Sequence, residues 1–306
     1  PALTDFTFME EKKGKLFVNS PNALDGNIAS KCDTAAAKFQ SEETGLVDGV
    51  GTEADILAQI RALVGMLPAN NEDDAYTECT DNLNRACPDL ANCAGDTGIL
   101  LSQISDNGVV FETKKNYAKD MVTAFIRLNG ATVGAVANRS EIYGTDGTLE
   151  ETFDGTLSAK GAKKAAAFVK FCDAFGIPVL TITNVKGFKA TKCSEKFMAQ
   201  NVAELTYAFA DATVPKVNVV VGQAYGSAYL AMNSKSIGAD MVFAWPNAEI
   251  GMMDAKAAAK IMYADEDLAT INEKAAEYAT LQNNVTSAAR RGYVDTIIEP
   301  EDTRKY

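Results

Sequence analysis

The chain has 306 residues, 47% of them apolar and 23% charged, a balance that sustains one large or two ordinary folded domains. A net charge of −12 excludes nucleic acid and anionic membrane surfaces as general partners, and no apolar stretch is long enough for a membrane-spanning helix. The chain contains no histidine, so proton and charge chemistry must come from other groups.

The chain opens at Pro1 with neither an initiator Met nor a signal-peptide pattern, which predicts a processed chain or a fragment. Leu16-Phe17-Val18 predicts a short strand, and Ile56, Ile60, Leu63 and Val64 recur at helical spacing within Glu53 to Met66. A polar, proline-punctuated passage follows, with the composition of a linker lying over a surface. Cys79, Cys87 and Cys93 fall in it; together with Cys32, Cys172 and Cys193 they form no CxxC pair. They predict reduced thiols in a cytoplasmic protein, with no metal site.

From about Gly98 onward, strand and helix patterns alternate, which predicts an α/β domain with crossover connections. A helix is predicted from Ser158 to Phe175, capped by Ser158 and stopped by Gly176 and Pro178. Its apolar face is Ala162, Ala165, Ala166, Val169 and Cys172; Lys160, Lys163, Lys164 and Lys170 are predicted to fill a solvated face. A second helix, Ser194 to Asp211, carries Met198, Val202, Leu205 and Phe209 on one stripe. The run Asp240 to Gly251, with the chain's single tryptophan, Trp245, reads as a buried strand. Glu266 to Gln282 reads as a charged, alanine-rich helical zone at a periphery or interface.

Two glycine turns carry the chemistry. Val179 to Thr183 leads into Asn184-Val185-Lys186-Gly187-Phe188, and Val217 to Val221 leads into Gln223-Ala224-Tyr225-Gly226-Ser227-Ala228-Tyr229. A strand–glycine turn–helix unit leaves backbone N–H groups free near a helix start. Two such units in one domain can aim amides at a single developing oxyanion. Alone, they indicate oxyanion or phosphate handling without identifying a substrate.

Several segments narrow this. Lys160-Gly161-Ala162, Phe168 to Pro178, Tyr207 to Lys216, Ala224 to Tyr229, Ser234-Lys235, Ala244-Trp245-Pro246, Ala248-Glu249-Ile250 and Arg291 to Asp295 stand in order along the chain. In that order they resemble the carboxyltransferase family of biotin-dependent acyl-CoA carboxylases and decarboxylases, continuously from about Asn116 to Arg304. The resemblance implies an α/β, crotonase-like (ClpP/crotonase) ββα-spiral fold. It implies that residues 98–306 form the biotin-side domain, that 68–97 form a linker, and that 1–67 are the tail of a preceding domain of the same kind.

The activity implied is transfer of a carboxyl group between carboxybiotin on a carrier protein and the α-carbon of a short acyl-CoA. Carried over residue by residue, Gly226, Ser227 and Ala228 would present amides to the biotin ureido oxygen, opposite Gly187 and Phe188. Tyr225, Tyr229 and Leu230 would line the cofactor site, Leu230 at an acyl pocket. The resemblance further implies a homo-oligomer with a biotin carboxyl carrier protein or domain, and with a biotin carboxylase or a membrane decarboxylase subunit. Where the family commonly has Asp-Val-Pro-Gly-Phe, this chain has Asn184 for the acid and Lys186 for the proline; a common Gly-Gly is Gly226-Ser227. Two alternatives remain: a non-catalytic scaffold subunit, and a crotonase-type hydratase or isomerase using Glu249 as base.

Overall fold

A computed structural model describes all 306 residues. The first part carries β1 (Phe8–Glu10), α1 (Ala37–Glu42), β2 (Gly49–Gly51) and α2 (Glu53–Met66). β1 and β2 pair in parallel over a small core of Met9, Ala37 and Val47. Helix α2 begins at a capping box: the Thr52 hydroxyl accepts from the Asp55 N–H, and the Asp55 carboxylate accepts from the Thr52 N–H. Only Leu63 and Met66 of α2 are buried; Ile60 and Val64, predicted for its packed face, are exposed. Leu16-Phe17-Val18 is not a strand. Pairing here stops at a single bridge, Lys15 with Ala36, and one bond from Leu16 N–H to Ala35 O (3.0 Å); Val18 is fully exposed, and the pairing does not extend into a strand.

The passage 68–97 lies against the larger body. Thr77 N–H donates to Gly130 O (2.9 Å), Thr132 N–H donates to Ala75 O (2.9 Å), and Cys87 and Leu90 are buried among its core side chains. The body itself runs α3 (Thr97–Ile104), β3 (Val110–Thr113), β4 (Met121–Leu128), β5 (Ala131–Asn138), β6 (Glu141–Tyr143), β7 (Leu149–Thr152) and α4 (Ala159–Ala174). It continues with β8 (Val179–Val185), α5 (Lys192–Asp211), β9 (Lys216–Tyr225), α6 (Gly226–Ala231), β10 (Met241–Ala244) and β11 (Glu249–Gly251). Helices α7 (Ala255–Met262), α8 (Leu268–Tyr278) and α9 (Val285–Arg290) and strand β12 (Thr296–Ile297) complete it.

One sheet organises this body, in the order β12-β10-β9-β8-β5-β4-β3, with β11 pairing further along β9. The β4–β5 hairpin turns through Asn129 (φ 53°) and Gly130 (φ 79°), the left-handed pair that suits strand twist. From β5 onward the pairs are parallel, and helices cross between them. Both faces of the sheet are covered. Val220 faces the α4–α5 side with Phe125 and Val136, while Val219 and Val221 face Leu100, Leu101 and Trp245. That two-sided burial explains why β9 reads as a continuous apolar run rather than an alternating one.

Two expectations are corrected here. The run Asp240 to Gly251 is two strands, because the chain turns at Trp245-Pro246-Asn247, where Ala248 N–H donates back to Trp245 O (3.0 Å). Lys164 does not share the solvated face of α4. It is 3% exposed, and its Nζ donates to Lys114 O (3.0 Å), Tyr117 O (2.9 Å) and Met121 O (2.7 Å). Three carbonyls take its three protons, which is how a buried ammonium is tolerated. Burial still pulls its pKa down to about 7. The predicted zone Glu266 to Gln282 is helical as α8, and a π-turn over Ala279–Asn283 ends it.

Candidate active site

The register of the sheet sets the two glycine turns side by side. Val185 at the end of β8 stands opposite Ala224 near the end of β9. Gly187 and Gly226 therefore leave neighbouring parallel strands at their carboxyl ends, the position where open α/β sheets present ligand sites. β11 flanks β9 on the other side, with Gly251 opposite Tyr225.

Gly226 has φ +60°, and a Cβ there would lie 3.0 Å from Met252 O; both features demand glycine. It starts α6, and no side chain caps that start. Ser227 and Ala228 occupy positions in the first turn whose N–H groups have no intrahelical partner, so their amides are free at the carboxyl end of β9. The Ser227 side chain is exposed, whereas Ala228 is buried. Leu230, one turn further on, is 42% exposed.

Gly187 has φ +145°, a conformation that glycine reaches without strain. Its turn is held by a short parallel ladder: Lys186 N–H donates to Gly155 O (3.0 Å), Leu157 N–H to Gly187 O (2.8 Å), and Lys189 N–H to Leu157 O (2.9 Å). On such a ladder the Phe188 N–H points the other way, away from Leu157. The Phe188 ring packs on the main core and anchors the turn.

Asn184 sits in a bulge between the two strands and joins them. Its Oδ1 accepts from Gln223 N–H (3.0 Å), and its Nδ2 donates to Ala94 O (3.3 Å). An aspartate could make the first bond and not the second. The amide thus ties the turn pair to the 68–97 passage, a role visible only once Ala94 is in place.

Two tyrosines border the Gly226 turn. Burial raises the Tyr225 phenol well above its ordinary pKa, and its hydroxyl donates to Glu249 Oε2, which raises it further. Burial pushes Tyr229 up to about 12, and its hydroxyl has no partner within the chain. Both stay neutral at physiological pH. Glu249, the residue a hydratase would need as base, has one carboxylate oxygen committed to Tyr225.

The carboxyl transferase domain family matches over residues 1–306. The chain belongs to that family. It is 35% identical to the methylmalonyl-CoA decarboxylase subunit alpha of Veillonella parvula, over 99% of this chain and 60% of that protein. It is 37% identical to a putative propionyl-CoA carboxylase beta chain of Bacillus subtilis, over 99% of this chain and 61% of that one. Among solved structures, transcarboxylase 12S with methylmalonyl-coenzyme A and methylmalonic acid bound superposes with a TM-score of 0.90 at 34% identity, over all of this chain and 60% of that one. The fold is therefore the crotonase-like fold of carboxyltransferases. The chain spans about 60% of the length of these relatives.

Proposed function

We propose that this chain is the biotin-facing part of a carboxyltransferase that moves a carboxyl group between carboxybiotin and the α-carbon of a short acyl-CoA. Residues 98–306 are read as the biotin-side domain, 68–97 as its linker and 1–67 as the tail of an acyl-CoA-side domain. The observation that carries this reading is the pair of glycine turns on adjacent parallel strands, with free amides at Ser227 and Ala228 on one and Phe188 on the other.

Biotin, carried on a partner protein, supplies a ureido group whose oxygen gains negative charge as the carboxyl group departs. Fixed N–H donors at Ser227 and Ala228 stabilise that charge without reorganising, worth roughly 3–4 kcal/mol per donor in comparable sites. Tyr225 and Tyr229, neutral throughout, wall the Gly226 side of the site, and Leu230 offers an apolar contact for a short acyl group. A carrier protein or domain, and a biotin carboxylase or membrane decarboxylase subunit, complete the complex. The chain self-associates, and the shared site is completed by the acyl-CoA-side domain of another subunit. Six unpaired cysteines support a cytoplasmic setting. The engagement of Glu249 by Tyr225 argues against the hydratase alternative.

The test is reconstitution. The 306-residue chain is expected to bind a biotinyl carrier domain weakly and to release no CO2 from methylmalonyl-CoA by itself. Biotin-dependent CO2 release is expected once an acyl-CoA-binding first domain is supplied in trans. Absence of carrier binding by the folded chain would refute the reading.

A further inference from the structure

A buried hydrogen-bond network grips the far end of α6. Asn218 on β9 and Thr183 on β8 are both 0% exposed. Asn218 Nδ2 donates to Met232 O (3.1 Å) and to Asn233 O (2.9 Å), the two carbonyls that follow the helix. Its Oδ1 accepts from Thr183 Oγ1 (2.8 Å). Two carbonyls can be satisfied only by the amide's NH2 end, so the partners themselves dictate the orientation of this side chain. Asn233 takes a left-handed φ of 54°, which folds the chain back beneath α6, and its Nδ2 donates to Val217 O (3.3 Å).

This network touches neither glycine turn directly, yet it is built on both of their strands. Thr183 lies on the strand that leads into Gly187, and Asn218 on the strand that leads into Gly226. Helix α6 has six residues and no side-chain cap at its start; Ala228, Tyr229 and Ala231 pack it on the core, and the Asn218 amide holds the two carbonyls at its far end. Such a helix is about 9 Å long, and a tilt at one end reaches the other almost undiminished. Hydrogen bonds weaken steeply once their angle is lost.

We infer that Asn218, oriented by Thr183, is a positioning residue for the amide site: it fixes the C-terminal end of α6 and thereby aims the Ser227 and Ala228 N–H groups. The inference rests on the proposal that those amides receive the biotin ureido oxygen. It adds that their direction is set by a buried asparagine on the opposite end of the helix.

The experiment is isotope-edited infrared spectroscopy of biotin labelled with 13C at the ureido carbonyl, bound at saturation to the 306-residue chain. Amide donors lower the carbonyl stretching frequency below its value in an aprotic solvent, the reference for every shift here, and loss of aim returns it towards that value. Asn218→Leu strips both donors. Thr183→Val keeps the shape and removes the bond that orients Asn218, so it carries the test if the leucine variant does not fold. Thr113→Val is the control for a merely structural role: it breaks an equally buried hydroxyl pair with Thr123, away from both turns.

The expected result is a shifted band in wild type and Thr113→Val, with most of the shift lost in Asn218→Leu and Thr183→Val at matched folded fraction. A full shift in folded Asn218→Leu or Thr183→Val overturns the positioning role and leaves the amide reading standing, provided Ala228→Pro abolishes the shift. No shift in wild type, or a full shift in Ala228→Pro, overturns the amide reading and this inference with it.

Discussion

The two glycine turns offer the same kind of donor by different routes. At Gly226 the amides are those of a helix start, unpaired because a helix leaves its first N–H groups without partners. Their direction depends on packing at the other end of α6. At Gly187 the outward amide belongs to an extended segment, and a ladder to residues 155–157 faces it away from its partner strand. One turn draws its geometry from distant buried groups, the other from local pairing. A helix start tolerates surface change and is sensitive to its core anchor; a ladder is sensitive to whatever holds its edge.

The largest expected effect comes from deleting a donor outright. Ala228→Pro removes one N–H at a helix position that accepts proline sterically, and should slow the chemical step about a hundredfold or more in the reconstituted enzyme. Circular dichroism and a melting curve establish the fold before the rate is read. Unchanged turnover in a folded Ala228→Pro protein would move the working donor elsewhere.

Next in size is Gly187→Ala. No atom lies within 4 Å of the added Cβ, so its cost is conformational: φ +145° is strained for any L-residue. The turn should relax and misdirect the Phe188 amide, lowering the rate roughly tenfold, with the melting temperature reduced by a few degrees. A larger loss of melting temperature than of rate would make the Gly187 turn structural.

A pH test separates the turns more gently. Asp154 holds the 154–156 turn through the Thr156 hydroxyl and the Thr156 N–H (3.1 Å), and these bonds keep its carboxyl below the ordinary carboxylate range. A lowered carboxylate pKa means stability that is present above about 4 and is lost as pH falls through the folded value. Hydrogen exchange near pH 3 should therefore free the bonded amides of the Gly187 turn, those of Leu157, Lys186 and Lys189, before the Met232 amide at the end of α6. Asp154→Asn should remove that difference in acid sensitivity.

The smallest expected effect is Ser227→Ala, which keeps the amide and deletes an exposed hydroxyl. Activity within a few-fold of wild type is expected. A loss approaching that of Ala228→Pro would make the hydroxyl the working group.

Much of the scaffold was readable in advance because its signals are local. Ser158 does accept from Gly161 N–H and Gly176 does take φ +66° after α4, so periodicity, cap and stop agreed over one helix. The same is true of the β-branched runs that became β8 and β9. Lys164 was misread because its burial depends on carbonyls of residues 114, 117 and 121, far away in sequence. Leu16 to Val18 has strand composition but pairs only through Leu16 and the neighbouring Lys15–Ala36 bridge, and pairing is a property of two segments. At the site, the turns could be located from their glycines. Their adjacency could not, since it follows from the Val185–Ala224 register and from the bulge that Asn184 fills. Asn218 carried no signal at all: one asparagine in an apolar run says nothing until the carbonyls of Met232 and Asn233 arrive beneath it.

Trp245 gives the molecule a private lamp. It is the only tryptophan, 1% exposed, and its indole N–H donates to Thr303 Oγ1 (2.9 Å) beside the C-terminal end of the chain. Excited at indole wavelengths, the protein glows from one known spot, on the sheet face opposite α4 and α5. Emission from that spot should be blue while residues 300–306 are seated and should redden when they lift away. Opening of that segment can thus be watched in real time, with no label attached.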